Sequence, residues 1–301
     1  MSDHNIIGTL EHLVFMMEGD RITIIECEDF EGELTIPEEI HCDDGRTRIV
    51  KEIGGCAFME CTGITSITIP DSVESIGEGA FRDCLNLVSI NIPDGTSRIG
   101  GWAFYGCRML PSLKIPDSVT AIEDGTFAGC YALASITLPD TLISIGEDAF
   151  NGCSGLTSID IPEGVESIGN TAFARCRNLE SIRIPKTVES IGVGAFNLCP
   201  KLRDVNIDAD NQRYSSSDDM FMDKDRKTLY KFLINDVIDL DIPHGIVHID
   251  KYTFLDCKDL RSVTLPNSVT SIDDCTIQEH FQPKSMNTPD GIGYVRENTQ
   301  V

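Results

Sequence analysis

The sequence is short of positive charge. It has 24 lysine and arginine residues against 49 aspartate and glutamate residues, and its formal net charge is -25. Neutralisation of phosphates by lysine and arginine dominates the affinity of proteins for nucleic acids, so we expect no nucleic-acid partner. The same charge opposes binding to anionic lipid surfaces, whereas it favours solubility and basic partners.

Long apolar runs are also missing. No stretch approaches the roughly 20 residues that a membrane-spanning helix needs, so we expect no membrane insertion. The N-terminal residues M-S-D-H-N-I-I-G lack the basic start and continuous apolar segment of a secretory signal. Taken as it stands, the sequence predicts a cytoplasmic chain; if a signal had been removed, the chain would belong to the cell surface or the secreted fraction.

Groupings of residues typical of catalytic and metal sites are missing too. The six histidines are scattered, and no C-x2-C pair occurs, although zinc sites usually need such pairs or nearby histidines. His244 and His248 are four residues apart, but they lie in the extended segment P-H-G-I-V-H-I-D rather than on a helix face. We therefore predict a chain that is not an enzyme, with no cofactor and no metal site.

An acidic segment leaves one metal question open. Its carboxylates could surround Ca²⁺, but their spacing matches neither an EF-hand loop nor a calcium-binding nonapeptide repeat. We favour a solvated turn over a calcium site. The aspartates are Asp208, Asp210, Asp218, Asp219, Asp223 and Asp225.

What the sequence does contain is a repeat of 23 residues. Phenylalanine recurs at this spacing, and a cysteine follows each phenylalanine by three residues. A period of this length marks units that cannot bury their apolar faces alone and must stack into a solenoid. The phenylalanines are Phe58, Phe81, Phe104, Phe127, Phe150, Phe173 and Phe196.

Each unit follows the frame L-x-S-I-x-I-P-x-x-V-x-S-I-G-x-x-A-F-x-x-C-x-x, as from Leu156 to Asn178. The alternation in S-I-x-I predicts a short strand with one buried and one solvated face. Proline has no N-H to donate and ends this strand, and V-x-S-I-G predicts a second extended segment. The A-F-x-x-C piece is too short for a stable helix, so we predict a single turn, 3₁₀ or otherwise, that inserts phenylalanine into the core.

This frame resembles the leucine-rich repeats of the BspA-like family, the 23-residue treponemal and Bacteroidetes type. Six uninterrupted copies from Thr62 to Cys199 carry the resemblance. It implies a repeat solenoid: a leucine-rich-repeat right-handed superhelix with short parallel strands on one face and short turns or 3₁₀ segments on the other. We divide the chain into an N-terminal cap (1–30), the solenoid (31–272) and a C-terminal cap or tail (273–301).

The period is interrupted by an inserted island at about residues 208–235. This segment is similar to an island that the family often carries between repeat blocks. Asp219 and Arg226 stand where the family usually has glycines. Aspartate tolerates a left-handed turn, but arginine does so poorly, so we expect the second turn to differ in shape.

Most of the twelve cysteines occupy one inward position of the repeat. Each such cysteine has two equivalent neighbours in adjacent coils and no unique mate, so we interpret the set as small buried hydrophobes rather than disulfides. The other four cysteines, Cys27, Cys42, Cys56 and Cys275, lie outside this repeat position, and the sequence does not decide whether they are free or paired. Cys56 could approach Cys61. The inward cysteines are Cys61, Cys84, Cys107, Cys130, Cys153, Cys176, Cys199 and Cys257.

The variable site of S-I-x-I defines a candidate binding surface. Solenoids present variable residues on one continuous face, so this chain is predicted to be a non-enzymatic protein-protein interaction scaffold that binds an unidentified protein through its exposed strands. Among the candidate residues, the charged ones are Lys114, Asp160 and Arg183. The alternative is that these are ordinary solvated strand residues. The candidate residues are Asn91, Lys114, Thr137, Asp160, Arg183 and Asn206.

A rival surface lies on the turn side of the repeat. Trp102, the only tryptophan, precedes Phe104, and Tyr105 follows it. Exposed aromatics of this kind often anchor interfaces, and equally often they are half-buried against the next coil. The resemblance to BspA-like adhesins also implies an alternative function, a cell-surface adhesin that binds host matrix protein or carbohydrate.

Overall fold

The computed structural model describes residues 6–234, 236–273 and 285–287. Over these residues the chain is a β-solenoid of about ten turns with parallel strands, which confirms the predicted class of fold. Each typical coil has three sides: a first strand from S-I-x-I, a second strand from V-x-S-I, and the A-F-x-x-C turn. The described part of the chain contains no helix, and therefore none that could cross a membrane.

Antiparallel strands cover the N-terminal end of the stack. β1 (Ile6–Leu10) pairs with β2 (Leu13–Glu18) and β2 with β3 (Arg21–Cys27), both antiparallel, and β3 then pairs parallel with β6 (Thr47–Ile53). Phe15, Ile22 and Ile24 are buried there and close the end of the hydrophobic core. The same part of the chain also contains β4 (Gly32–Thr35) and β5 (Glu39–His41), of which β5 pairs antiparallel with β6.

The regular coils follow, each with two short strands. Equivalent residues of successive coils pair in parallel, for example Ser158 with Ser181 and Ile145 with Ile168. The S-I-x-I strands are β7 (Ile64–Thr68), β9 (Ser89–Ile90), β11 (Ser112–Lys114), β13 (Ser135–Thr137), β15 (Ser158–Asp160), β17 (Ser181–Ile184) and β19 (Asp204–Ile207). The V-x-S-I strands are β8 (Ser75–Ile76), β10 (Arg98–Ile99), β12 (Ala121–Ile122), β14 (Ser144–Ile145), β16 (Ser167–Ile168) and β18 (Ser190–Ile191).

The island contains an antiparallel three-stranded unit, β20 (Tyr214–Ser217), β21 (Met220–Asp223) and β22 (Thr228–Phe232). Asp219 has a φ of 60° and Arg226 a φ of 55°. Arg226 therefore adopts the left-handed conformation that glycine takes most easily, and the expected departure of the second turn is not seen in its φ angle. The remaining strands are β23 (Asp239–Asp241), β24 (His248–Ile249), β25 (Ser262–Thr264), β26 (Ser271–Ile272) and β27 (Ser285–Asn287).

The island rejoins the solenoid through β22, which pairs parallel with β24. Beyond Asp273 only β27 is described, and it pairs parallel with β25. The rest of the predicted C-terminal cap or tail (273–301), including Cys275, lies outside the described residues.

The turn side of the coils supplies the centre of the core. The phenylalanine rings of successive coils stack with centroids 5.2 to 6.0 Å apart. The segments that carry them are hydrogen-bonded turns rather than 3₁₀ helices. Their backbones bond across coils, as where Phe81 N-H donates to the Ala103 carbonyl over 2.8 Å. Every coil thus completes the core of its neighbour.

The inward cysteines are packing residues that also satisfy backbone carbonyls. Each thiol from Cys84 to Cys199 donates to the phenylalanine carbonyl of an earlier coil, as in Cys84 Sγ to Phe58 O at 3.0 Å. Desolvation raises the pKa of the Cys130 thiol to about 12. All cysteines of the described residues are free, and the inward ones are buried except the half-buried Cys61. The interpretation as buried hydrophobes is confirmed for the others, and Cys56 and Cys61 form no disulfide.

Candidate functional site

The variable strand residues form one row on the first side of the solenoid. Strand register places Lys114 beside Thr137, and Arg183 between Asp160 and Asn206. Arg183 is half-buried, whereas the other members of the row are exposed. We call this set the strand row: Asn91, Lys114, Thr137, Asp160, Arg183 and Asn206.

Three members of the strand row, Asn91, Lys114 and Arg183, already have polar partners within the chain. Lys114 Nζ lies 3.3 Å from Asp94 Oδ1, and Arg183 contacts Glu163, whose hydrogen bond raises the pKa of the guanidinium. Asn91 donates to the Ile69 carbonyl and accepts from the Ile69 N-H, both at 2.8 Å. Exposed ion pairs contribute only about 0–1 kcal/mol, so the two cations can exchange partners, whereas the Asn91 amide is committed to the sheet.

The turn side carries a deeper surface. A depression of about 600 Å³ runs across coils on this side. Three aromatic rings and two guanidinium groups line it, and glycines form part of its floor. We call it the aromatic furrow and define it by Trp102, Tyr105, Gly129, Tyr131, Gly152, Arg175 and Arg177.

Two of the residues that line the furrow are glycines, Gly129 and Gly152. Three successive coils have glycine immediately before the inward cysteine, at Gly106, Gly129 and Gly152, and all three have positive φ. The flanking coils have Asp83 and Arg175 at this position, also with positive φ. Because the backbone is left-handed at this position, glycine fits without steric cost, and its missing side chain leaves the floor open.

Trp102 is held against the backbone in a strained conformation. Its φ is 54°, a region that bulky residues rarely adopt. Its indole lies over Gly125, where an added Cβ would come within 2.3 Å of the indole atoms Cδ1 and Nε1. The equivalent position also has positive φ in other coils, with glycine at Gly79 and Gly125 but Cys56, Asp148 and Thr171 elsewhere. The left-handed turn is therefore a feature of the repeat, and Trp102 differs from its equivalents by its large, partly exposed ring.

Arginines support the two tyrosines. Arg82 Cζ lies 5.1 Å from the ring centroid of Tyr105, and Arg108 Cζ lies 5.6 Å from that of Tyr131. Cation–π contacts at exposed sites contribute about 0.5–1 kcal/mol and restrict ring motion. Exposure of Tyr131 is 51% and of Trp102 is 41%, so both rings remain available to a partner.

Of this furrow, the sequence had indicated only Trp102 and Tyr105. Tyr131 belongs to an earlier coil than Arg175 and Arg177, and no local motif connects it with them. The signal that could have identified the furrow is the run of glycines at one repeat position in three successive coils.

The aspartates of the acidic segment do not converge on an ion. Within the described residues, one group of at least three histidine, cysteine or acidic side chains is close enough to share a metal ion. It consists of His248, Asp250 and Asp273, outside the acidic segment. Asp223 Oδ1 instead accepts the backbone N-H groups of Lys227 and Thr228, and Asp208 Oδ1 accepts that of Asp210. These contacts are typical of aspartates that stabilise turns.

Comparison with known proteins agrees with the resemblance predicted from the repeat frame. The family profile described as BspA type leucine rich repeat region (6 copies) matches residues 51–139, 120–230 and 229–299. No curated protein has a significant match.

Several solved structures share the fold. A leucine rich cell surface protein from Faecalibacterium prausnitzii A2-165 is 25% identical with a TM-score of 0.54, and the match covers 99% of this chain and 97% of that one. The leucine rich repeat protein TpLRR of T. pallidum is 30% identical with a TM-score of 0.58, covering 65% of this chain and 90% of its own. A leucine-rich repeat protein from Bacteroides ovatus ATCC 8483 is 26% identical with a TM-score of 0.58, covering 88% and 70%.

Proposed function

This chain belongs to the BspA-type leucine-rich repeat family, and on that premise we propose that it is a non-enzymatic scaffold that binds a protein partner. The surface that supports this function best is the aromatic furrow. Tryptophan, tyrosine and arginine are the residue types most enriched at the energetic centres of protein interfaces. The furrow gathers all three types in one concave surface.

The observation that carries the proposal is the exposed ring of Trp102. It keeps a left-handed backbone conformation where neighbouring coils have glycine, and its ring forms one wall of the furrow. A large aromatic ring that is 41% exposed at this position is suited to anchor a partner. The rigid coils beneath it also reduce the entropy lost on binding, because the surface is preorganised.

The strand row remains the second candidate surface. Its residues are aligned by strand register, and its central charges Lys114, Asp160 and Arg183 lie where a partner could contact them. Charges on such a surface govern association rate and specificity more than affinity. We therefore assign it a steering role, with the furrow as the anchor.

Two sets of variants separate these surfaces. Trp102→Ala with Tyr131→Ala is expected to weaken the affinity for a partner captured by the intact chain by about 2–4 kcal/mol, because truncation of buried aromatic anchors has effects of this size. Reversal of the strand-row charges (Lys114→Glu, Asp160→Lys and Arg183→Glu) is expected to change mainly the association rate and its salt dependence. Surface plasmon resonance at two salt concentrations measures both effects.

The control variant is Ile143→Ala, which removes an exposed apolar side chain (48% exposed) that does not line the furrow. It should leave the affinity unchanged. If charge reversal lowers the affinity and the Trp102/Tyr131 variant leaves it unchanged, the binding site is the strand row and not the furrow.

A second candidate function is that of a cell-surface adhesin for host matrix protein or carbohydrate. The observation in its favour is the likeness to the F. prausnitzii cell surface protein over nearly the whole chain. Aromatic rings beside arginine and asparagine side chains suit sugars as well as peptides. Binding of the intact chain to immobilised glycans that is lost in the Trp102→Ala variant would favour the adhesin; binding to protein alone would favour the scaffold.

A further inference from the structure

Two successive coils near the C-terminal end depart from the S-I-G pattern at the same place. The second strand and the residue after it read H-I-D from His248 to Asp250 and S-I-D from Ser271 to Asp273. Register pairs His248 with Ser271 and Ile249 with Ile272. The two coils therefore carry carboxylates at the position where most coils have glycine.

That glycine is normally required by close packing between coils. An added Cβ at Gly77 would come within 2.5 Å of Gly55 N, and one at Gly169 within 2.5 Å of Glu147 N. Glu123 also replaces this glycine, but the equivalent residues of the adjacent coils are Gly100 and Gly146. Asp250 and Asp273 differ from Glu123 because they occupy this position in two adjacent coils, so their carboxylates are neighbours.

The side chains converge. One ligand atom from each of His248, Asp250 and Asp273 lies within 4.8 Å of the other two, and all three residues are half-buried. His248 Nε2 is 3.4 Å from Asp273 Oδ2. The other ring nitrogen, Nδ1, is hydrogen-bonded to Ser271 Oγ at 2.8 Å, which orients the imidazole. An imidazole oriented through its second nitrogen is a regular feature of metal-binding histidines.

We propose that His248, Asp250 and Asp273 bind one divalent first-row metal ion of the Mn²⁺ to Zn²⁺ series. Two carboxylates brought together repel each other unless a cation or a proton lies between them. One imidazole nitrogen with two carboxylate oxygens is a donor set that suits such ions, and water would complete the coordination. Because the ligands come from two coils, the metal would link these coils and stabilise this end of the solenoid.

The test uses Mn²⁺ alone with the full chain. Sulfur ligands such as the exposed Cys56 bind Mn²⁺ less well than Zn²⁺, so they compete less with the proposed site. Electron paramagnetic resonance should detect one bound Mn²⁺ per chain, and thermal unfolding should move to higher temperature as Mn²⁺ is added. His248→Gln and Asp273→Asn should each weaken binding by about tenfold or more. His244→Gln, which changes an exposed histidine four residues away, should not.

Circular dichroism of the metal-free variants checks that they remain folded, and Asp250→Asn provides a second carboxylate variant. Absence of bound Mn²⁺ at about 1 mM, a concentration at which weak extracellular-type cation sites are filled, would overturn the proposal. Binding that His248→Gln leaves unchanged, or that Ca²⁺ reproduces equally well, would also overturn it, because it would indicate general attraction to an acidic surface.

Discussion

Replacing Asp256 by alanine is expected to lower the free energy of unfolding by about 3–5 kcal/mol, the range measured when one partner of a buried ion pair is removed. Asp256 is 2% exposed and Lys231 4% exposed, and Lys231 Nζ lies 2.5 Å from Asp256 Oδ2. The same oxygen accepts the Cys199 N-H over 3.2 Å. The alanine variant would leave the Lys231 charge buried without its carboxylate and would break the link between the island and the coils on either side of it.

A double variant shows whether the unpaired charge is the cause. Lys231→Met with Asp256→Leu should recover most of the loss, because apolar residues of similar volume often replace a buried ion pair without cost. Asp94→Ala, which removes the partner of exposed Lys114, should change stability by at most about 1 kcal/mol. Urea unfolding followed by circular dichroism measures all three. A single variant as stable as the native chain, or a double variant no better than the single one, would contradict this explanation.

Truncation of a phenylalanine in the middle of the stacked row should lower the free energy of unfolding by a similarly large amount. Phe127→Ala is expected to lower the free energy of unfolding by about 3–5 kcal/mol, through lost burial and the cavity left behind. Phe127 is 0% exposed, and its ring stacks on Phe104 at 5.5 Å and on Phe150 at 5.4 Å. Phe127→Leu should lose less, because it fills part of the cavity.

The position of Phe127 adds a second signature. In a repeat array each coil is stabilised by its neighbours, so a weakened central coil reduces the coupling between the two ends. We expect the urea transition of Phe127→Ala to broaden or divide in two. Ile143→Ala, at an exposed site, should change stability by about 0.5 kcal/mol or less. A sharp single transition at the native midpoint would show that the ladder does not couple the coils.

Repetition explains which features could be predicted. The spacing of the phenylalanines and cysteines predicted the stacked coils, the rows of buried side chains and the exposed strand positions, because the same residue types recur in several successive coils. The family resemblance also predicted an island at about residues 208–235. The φ angle of Arg226 could not be obtained this way, since the surrounding hairpin overrides the preference of a single residue.

The features that were missed depend on departures from the repeat. Lys231 and Asp256 pair between the island and a later coil, where the period no longer gives the register. The furrow is lined by two glycines and by side chains from several coils. The grouping of His248, Asp250 and Asp273 becomes visible only when the sequences of two coils are aligned. The sequence suggests only His244 as a possible fellow ligand of His248, at the spacing of metal ligands on one face of a helix. In a solenoid the neighbours of His248 lie one coil away.

A protein partner is proposed to contact the aromatic furrow. Hydroxyl-radical labelling of the free chain and of its saturated complex with a captured partner tests it most directly, because tryptophan and tyrosine react readily and both Trp102 and Tyr131 are exposed. We predict that both rings lose most of their labelling in the complex, whereas Ile143 is labelled equally in the two states. Unchanged labelling of Trp102 and Tyr131, with protection along the strand row instead, would contradict the claim.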